Sequence, residues 1–469
     1  MDPLALQQIP VPERVVTNWP APVLALLGAS MAGVVAQGGF YLPGRILVTA
    51  LALVAFVLAI HSAGLRRIDA GPVLPTVATI ALWALLRAAT AGGFPVAAGI
   101  CATLATLFMT LTVTRRIGSA DRFSLASGLV GLGVLVALTG WAGVAWRIDR
   151  WAVLVESTLW RGASTLTYPN AAAAVLAVTA LLALGLLLAE PDSLVRALVF
   201  YLLLAGLAAT LSRAGLIAFA AGVLVFLFSV SVRQTLRHLI PAGLGAAVAL
   251  AGIVPSFPAA AQPQPLPAVC GLLIGGLIAV PMPKLRGRRL AAAWALLSSA
   301  ATGALVLVFL RRPEQFEALL HRRATFASQG RSGALRSALE QVAAHPLAGT
   351  GPGRARFFWL DFEGKLVASR WVHNEYLQWF VDLGAIGFVL LAALGTAVVL
   401  LLRRGRATGV PASLWTGAVA AAVALAVHSA FDFLWELAVI PLLFGVLVGI
   451  AGPVHSEESA PSMNGEEQP

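Results

Sequence analysis

The sequence predicts an all-α polytopic membrane bundle of about twelve to fourteen transmembrane helices, with one large helical loop on its outer side. Three observations predict it. Of the 469 residues 59% are hydrophobic and only 11% are charged, where a soluble domain carries about 25% charged residues. The mean hydropathy is +0.87. Apolar runs of roughly 18–22 residues, the length that crosses about 30 Å of hydrocarbon, recur along the whole chain, and the basic residues fall in short clusters between them. The net charge of +11 therefore reads as a set of topology signals and not as a nucleic-acid surface. Cys101 and Cys270 lie inside apolar runs, which argues against a disulfide framework or a zinc site. Residues 1–19 are polar and the first apolar run has no cleavage site, so no cleavable signal peptide is expected.

Taken in order, the expected spans are 20–38, 45–63, 72–90, 94–113, 124–145, 169–189, 194–211, 214–231, 237–254, 266–283, 290–310, 375–402, 412–430 and 433–453. Twelve remain if a weak pair, such as the one around 237–283, does not span. With the N-terminus inside, the cytoplasmic loops hold Arg66/Arg67, Arg115/Arg116/Arg122, Arg233/Arg237, Lys284 to Arg289 and Arg403/Arg404/Arg406. The short outer loops hold fewer: Arg45, Arg87, Arg147, Arg150, Arg161 and Arg213. This asymmetry follows the positive-inside rule, and the alternation runs through all fourteen spans. It makes 1–453 one membrane domain, puts the loop 311–373 outside and leaves the acidic tail 454–469 inside as a disordered segment.

Three outer segments carry the polar residues. Residues 146–170 (WRIDRWAVLVESTLWRGASTLTYPN) place apolar side chains at Trp151, Leu154, Val155 and Leu159, the spacing of a helix lying on the membrane surface. TLSRAG at 210–215 is a tight turn between two spans. In the large loop, Arg331–Ala344 predicts an amphipathic helix ended by His345-Pro346, because a residue before proline resists the helical region. The run from 375 to 402 is too long for one straight span and should project outward or bend near Gly384–Gly387. PSFPAAAQPQPLP (255–267) reads as a proline-rich external linker.

Several side chains in these segments are candidates for chemistry. Arg213 sits where two spans meet the outer surface, and an ionisable group there is a functional candidate; the alternative is a side chain that reaches lipid headgroups. Arg161, Arg150 and Arg147 share one segment, and a group of planar guanidinium forks suits a diphosphate; the alternative is headgroup contact. His373 falls at the start of a helix that begins Asn374-Glu375-Tyr376. A helix N-terminus disfavours imidazolium, and a neutral imidazole is what a general base needs; the alternative is a cap-like loop residue. His428 and Asp432, in HSAFD, would share a helix face at i, i+4 if the helix persists. His345 would fix the turn before Gly349, Gly351 and Gly353, and GTGPG lacks the Lys-Ser/Thr and the strand of a nucleotide P-loop. There is no DxD, HExxH, GxSxG or Cys/His ligand cluster, so no metal site and no cofactor is expected.

These residues together resemble the O-antigen ligase and polysaccharide polymerase superfamily of bacterial envelope enzymes. The resemblance rests on His345-Pro346-Leu347 with Gly349, Gly351 and Gly353; on His373-Asn374-x-x-Leu377 with Gly384 and Gly387; and on Ser212-Arg213-Ala214. Arg161 ahead of Pro169-Asn170-Ala171, and His428-Ser429-x-x-Asp432, match the same layout. It covers about 146–450. It implies a multi-pass protein of the bacterial inner membrane with its active site on the periplasmic face. Its expected donor is a polyprenyl-diphosphate-linked glycan and its acceptor a glycan, lipid or protein hydroxyl, with membrane lipids as surroundings. By that resemblance His373 activates the acceptor hydroxyl, Arg213, Arg161 and Arg331 bind the diphosphate, and Asn374, His428, Asp432, His345, Gly351 and Gly353 support the site. A diphosphate leaving group needs positive charge and a base without necessarily needing a metal. Ligase and repeat-unit polymerase share these motifs, and a transporter or flippase is the competing class. A transporter would place polar residues near mid-membrane, whereas the candidates here cluster at one surface.

Overall fold

The computed structural model describes residues 19–63, 71–155, 158–280, 329–360, 364–408 and 410–453, with isolated positions at 292, 299 and 303. The expected span 290–310 lies almost entirely outside the described residues, and so do the N-terminal segment 1–18 and the acidic tail from 454 on. The other thirteen spans each coincide with a helix, confirming an all-α polytopic bundle. They are α1 (Ala21–Val35), α2 (Leu42–Ala63), α3 (Val73–Ala91), α4 (Phe94–Arg116), α5 (Ser119–Trp146), α6 (Pro169–Ala189), α7 (Leu194–Ala209), α8 (Arg213–Ser229), α9 (Val232–Ile253) and α10 (Pro265–Ala279). After the expected surface helix α11 (Gln329–Ala344) come α12 (Glu375–Ala407), α13 (Ala412–Ser429) and α14 (Val439–Ala451). Eight are long and apolar enough to cross a membrane, while α1, α7, α8, α10 and α14 are shorter apolar helices.

The sequence of α6, PNAAAAVLAVTALLALGLLLA, is apolar on every side and so belongs at the centre of a bundle. Its side chains from Pro169 to Leu187 are buried. It packs among α5, α7, α8 and α13, and it meets α13 where Gly185 faces Gly417 so closely that an added Cβ would come within 2.7 Å of the Ser413 carbonyl oxygen. Small residues permit such backbone approach between apolar helices. The outer helices α2, α3 and α12 instead expose Leu53, Val57, Leu82 and Val389, a surface that suits hydrocarbon and not water.

Loop contacts sort into two ends, as the alternation of spans requires. At one end Thr165 Oγ1 donates to Val34 O at 2.8 Å, Arg45 to Glu436 O at 2.7 Å, and Arg147 to Pro258 O at 2.6 Å. At the other, Arg116 donates to Ala59 O at 3.1 Å, and the buried Arg122 reaches Arg115 O, Ile117 O, Ile450 O, Gly452 O and Pro453 O at 2.6–3.3 Å. The last carbonyls of a helix lack partners within it, and here one guanidinium meets carbonyls at and just beyond the ends of both α4 and α14. Arg122→Ala should strand several buried acceptors and cost at least about 3 kcal/mol, read as a lowered thermal unfolding midpoint of the detergent-solubilised protein.

Three expectations change. Residues 146–170 do not form a surface helix. They form an antiparallel hairpin, β1 (Ala152–Val155) with β2 (Leu159–Gly162), followed by a short 3₁₀ turn at Ser164–Leu166. Four apolar positions at helical spacing were too few to decide, because backbone partners came from elsewhere in the chain. Trp160 N donates to Phe257 O at 2.8 Å and Ala259 N to Thr158 O at 2.9 Å. The segment 255–267 is thus more than a linker: it lines the hairpin edge and buries Phe257 completely. The last expected span, 433–453, opens with a 3₁₀ turn at Leu434–Glu436, and its helix starts only at Val439. A second hairpin, β3 (Phe357–Leu360) with β4 (Leu366–Ser369), lies in the large loop.

Candidate active site

The site is assembled where α12 begins. Asn374 caps that helix, its side chain accepting the Leu377 N–H at 3.0 Å, as a short polar side chain does at this position. His373 precedes the cap with φ +58°, a left-handed conformation that costs a bulky residue about 1–3 kcal/mol and persists only where its surroundings hold it. What holds it is Asp432, whose Oδ1 lies 3.0 Å from His373 Nδ1. Asp432 is fully buried. Its Oδ2 accepts from Tyr168 Oη at 2.5 Å and Asn170 Nδ2 at 2.5 Å, and its Oδ1 also accepts Phe433 N–H at 2.9 Å.

An ionised carboxylate only accepts hydrogen bonds. The neutral imidazole must therefore carry its proton on Nδ1, leaving a lone pair on Nε2. Burial pushes the Asp432 carboxyl up, but the hydrogen bonds from His373, Tyr168 and Asn170 outweigh it and hold the group below the usual aspartate range. His373 is partly open, its side chain 31% exposed.

Asn170, at the second position of α6, turns its other atom to a second layer. Its Oδ1 accepts from Arg161 Nη2 at 3.0 Å and from Ser212 Oγ at 3.0 Å. Arg161 Nε donates to Thr210 O at 2.7 Å. Arg161 was expected on an exposed helix; on strand β2 it is buried instead, 8% exposed. Ser212 caps α8, accepting Gly215 N–H at 3.2 Å, and Arg213 is the first residue of that helix, half-buried. A continuous chain of contacts thus runs from Arg161 through Asn170 and Asp432 to His373.

His428 is buried in the last turn of α13. That helix ends at Ser429, so the expected shared face with Asp432 does not form; Asp432 lies beyond the helix and turns to His373. Arg331 falls in the first turns of α11, and its side chain lies outside the described residues. Arg336 is exposed and pairs with Glu340 at 3.5 Å.

The glycine loop braces α12. Gly349, Gly351 and Gly353 have φ of +70°, +101° and +62°, which an L side chain rarely adopts. Thr350 N donates to Val381 O at 2.8 Å, Gly351 N to Asp382 O at 3.0 Å and Ala385 N to Pro346 O at 2.9 Å. The Thr350 and Gly351 N–H groups are thus spent on α12 and not on a phosphate cradle, while α12 returns the Ala385 N–H to the loop. These bonds fill the gap that opens where α12 breaks at Gly384 (φ +70°, ψ −171°), the bend expected near Gly384–Gly387. His345 is exposed, and its backbone carbonyl accepts the Gly349 N–H at 3.1 Å. Arg87 clamps the loop through Ala348 O at 2.8 Å and Gly349 O at 3.1 Å. A Cβ on Gly384 would strike the backbone of Leu347 and Ala348, atoms that cannot swing aside. Gly384→Ala should therefore cost at least about 3 kcal/mol, measured as a loss of monodisperse protein and a lower unfolding midpoint.

The family model described as O-Antigen ligase (Wzy_C) matches residues 268–392. Residues 268–392 are thus similar to O-antigen ligases, in support of the superfamily resemblance. That domain match takes in the glycine loop, β3–β4, His373 and the Gly384 break, and ends before Asp432. That family is of a membrane glycosyltransferase or ligase type, which supports an enzyme role in glycan transfer, and the eight long apolar helices indicate a multi-pass membrane protein. No curated protein matches the chain.

Around the matched segment, several positioning residues were missed by sequence reasoning. Glu375 Oε1 accepts Trp435 N–H at 2.8 Å, Tyr376 Oη donates to Ala426 O at 2.7 Å, and Arg45 pairs with Glu436 at 3.1 Å. The first and third sew the Asp432 loop to α12 and α2, and the Tyr376 bond ties α12 to α13. Tyr168 and Asn170 carried a signal that went unused: hydrogen-bonding side chains on the first turn of a wholly apolar helix are expensive unless they have partners.

Proposed function

We propose that this protein transfers a glycan from a polyprenyl-diphosphate donor to an acceptor hydroxyl on the periplasmic face of the bacterial inner membrane. The observation that carries the reading is the His373–Asp432 pair linked through Asn170 to Arg161. His373 Nε2 takes the proton of the acceptor hydroxyl. The hydroxyl oxygen forms a bond to the anomeric carbon, the carbon–oxygen bond to the diphosphate breaks, and its electron pair leaves with the polyprenyl diphosphate. Arg161 and Arg213 stabilise that growing charge, aided by the positive end of α8 and by Arg331 from α11. Asn374, Gly351, Gly353 and His345 shape the approach, and His428 leads into the Asp432 loop, its carbonyl accepting the Phe431 N–H.

In this reading both termini are cytoplasmic and the end bearing His373 faces out. The same atoms serve a repeat-unit polymerase if the acceptor is another lipid-linked saccharide, and that is the second reading. A transporter reading draws no support from a network gathered at helix ends. The test is transfer by the purified protein from a polyprenyl-diphosphate-linked saccharide with EDTA present. Product is expected; absence of transfer to lipid, glycan and protein acceptors, together with measured lipid movement in vesicles, would replace this reading with transport.

A further inference from the structure

Phe433, the residue after Asp432, is the shared neighbour of three rings. Tyr168 stacks on it with centroids 5.5 Å apart and planes inclined by 18°. Trp371 stacks on it at 5.4 Å and 15°, and the His373 imidazole leans against it at 5.0 Å and 59°. Stacks at such separations are offset, so Phe433 covers part of one Trp371 face and none of the other. The indole is partly exposed, and its backbone is fixed. Trp371 N donates to Ser369 Oγ at 3.0 Å, the Ser369 hydroxyl bonds Trp371 O at 2.9 Å, and Val372 N donates to Gln378 Oε1 at 3.2 Å.

The series of rings has a direction. Tyr168 shares the Asp432 carboxylate with Asn170, which holds Arg161, so the cationic side of the site adjoins the Tyr168 end. Trp371 joins the group through Phe433 and stands two residues before His373. In a displacement at an anomeric carbon the nucleophile enters opposite the leaving group, which puts the acceptor on the side away from the diphosphate. A pyranose ring offers a flat face of C–H groups while its hydroxyls project around the edge. Such a face suits the electron-rich surface of an indole, and a held aromatic plane restricts the bound ring without loss of side-chain freedom.

We propose that Trp371 is the stacking platform for a pyranose ring of the acceptor, holding one of its hydroxyls within reach of His373 Nε2. This rests on the transferase reading above, and it narrows the acceptor to a sugar: a serine or threonine hydroxyl of a protein would leave the indole face unused.

Two measurements test it on the full chain in detergent. The first needs no turnover: saturation-transfer NMR with cellobiose and diacetylchitobiose as probes. Wild type should saturate the ring C–H protons, Trp371→Phe should keep part of the signal, and Trp371→Ala should lose it. The second is initial-rate kinetics at saturating donor. Trp371→Ala should raise the acceptor KM about five- to tenfold, with kcat and donor KM within about twofold of wild type. An unchanged acceptor KM, a shift of donor KM in its place, or no saturation of either disaccharide by wild type overturns the platform. Disaccharide binding by a protein that transfers nothing would sink the transferase reading and leave the platform standing. Transfer by wild type with Trp371→Ala indistinguishable from it would do the reverse.

Discussion

Replacing His373 by alanine is expected to lower kcat by about two to four orders of magnitude while leaving the donor KM nearly unchanged. The imidazole is the one partly open nitrogen base in the network, and its Nδ1 is committed to Asp432, so Nε2 is the atom left to receive a proton. The diphosphate reading assigns donor binding to Arg161 and Arg213, which the substitution does not touch. The protein should also stay folded, because the substitution takes only one of four hydrogen bonds from Asp432 and leaves those of Tyr168, Asn170 and the Phe433 N–H in place. Single-turnover transfer from a polyprenyl-diphosphate saccharide, with donor binding followed separately, measures both. A variant that retains wild-type turnover would move the base elsewhere, and the buried His428 would be the next histidine to replace.

The second large effect belongs to Asp432→Asn. The wild-type carboxylate accepts from His373, Tyr168, Asn170 and the Phe433 N–H. An asparagine of the same shape has one acceptor oxygen and turns an NH2 group toward the remaining donors, so buried donors are left unpaired. A stability loss of about 3–5 kcal/mol should follow. The amide can also donate to His373, favouring the tautomer with its proton on Nε2, and the base is then blocked. Neutralising the carboxylate behind a catalytic histidine elsewhere costs about 10⁴ in kcat, and a loss on the order of 10³ or more is expected here. His373→Ala and Asp432→Asn combined should cost little more in kcat than either alone, since they act as one unit.

Acid sensitivity follows from the same carboxylate. Its folded pKa is depressed, so the stabilisation it contributes is complete above its unfolded value near 3.9 and is lost as pH falls through the lower folded value. Wild type should lose this contribution only below about pH 4, and the acid limb of its unfolding midpoint should be shallower in Asp432→Asn, which has no proton to gain there. An equally steep acid limb in the variant would assign the loss to other carboxyls.

The bundle was legible from the sequence because crossing hydrocarbon is a local requirement. Each span needs about 20 apolar residues whose backbone bonds close within the segment, so thirteen helices stand where the apolar runs stand. Local chemistry also sufficed for α11 stopping at His345-Pro346 and for the break at Gly384, whereas Asn374, read as the first helical residue, is the cap of α12. The tertiary structure alone decided matters of partnership. Residues 152–162 became a hairpin because the 254–261 segment supplied partners for its edge, which apolar spacing cannot reveal. Asp432 pairs with His373, 59 positions away, because α13 ends three residues before it. Arg161 is buried because Asn170 and Thr210 meet its guanidinium, and a buried charge depends on such distant partners. The physical division is between groups satisfied by their own segment, which a sequence displays, and groups satisfied across segments, which only the packed chain brings together.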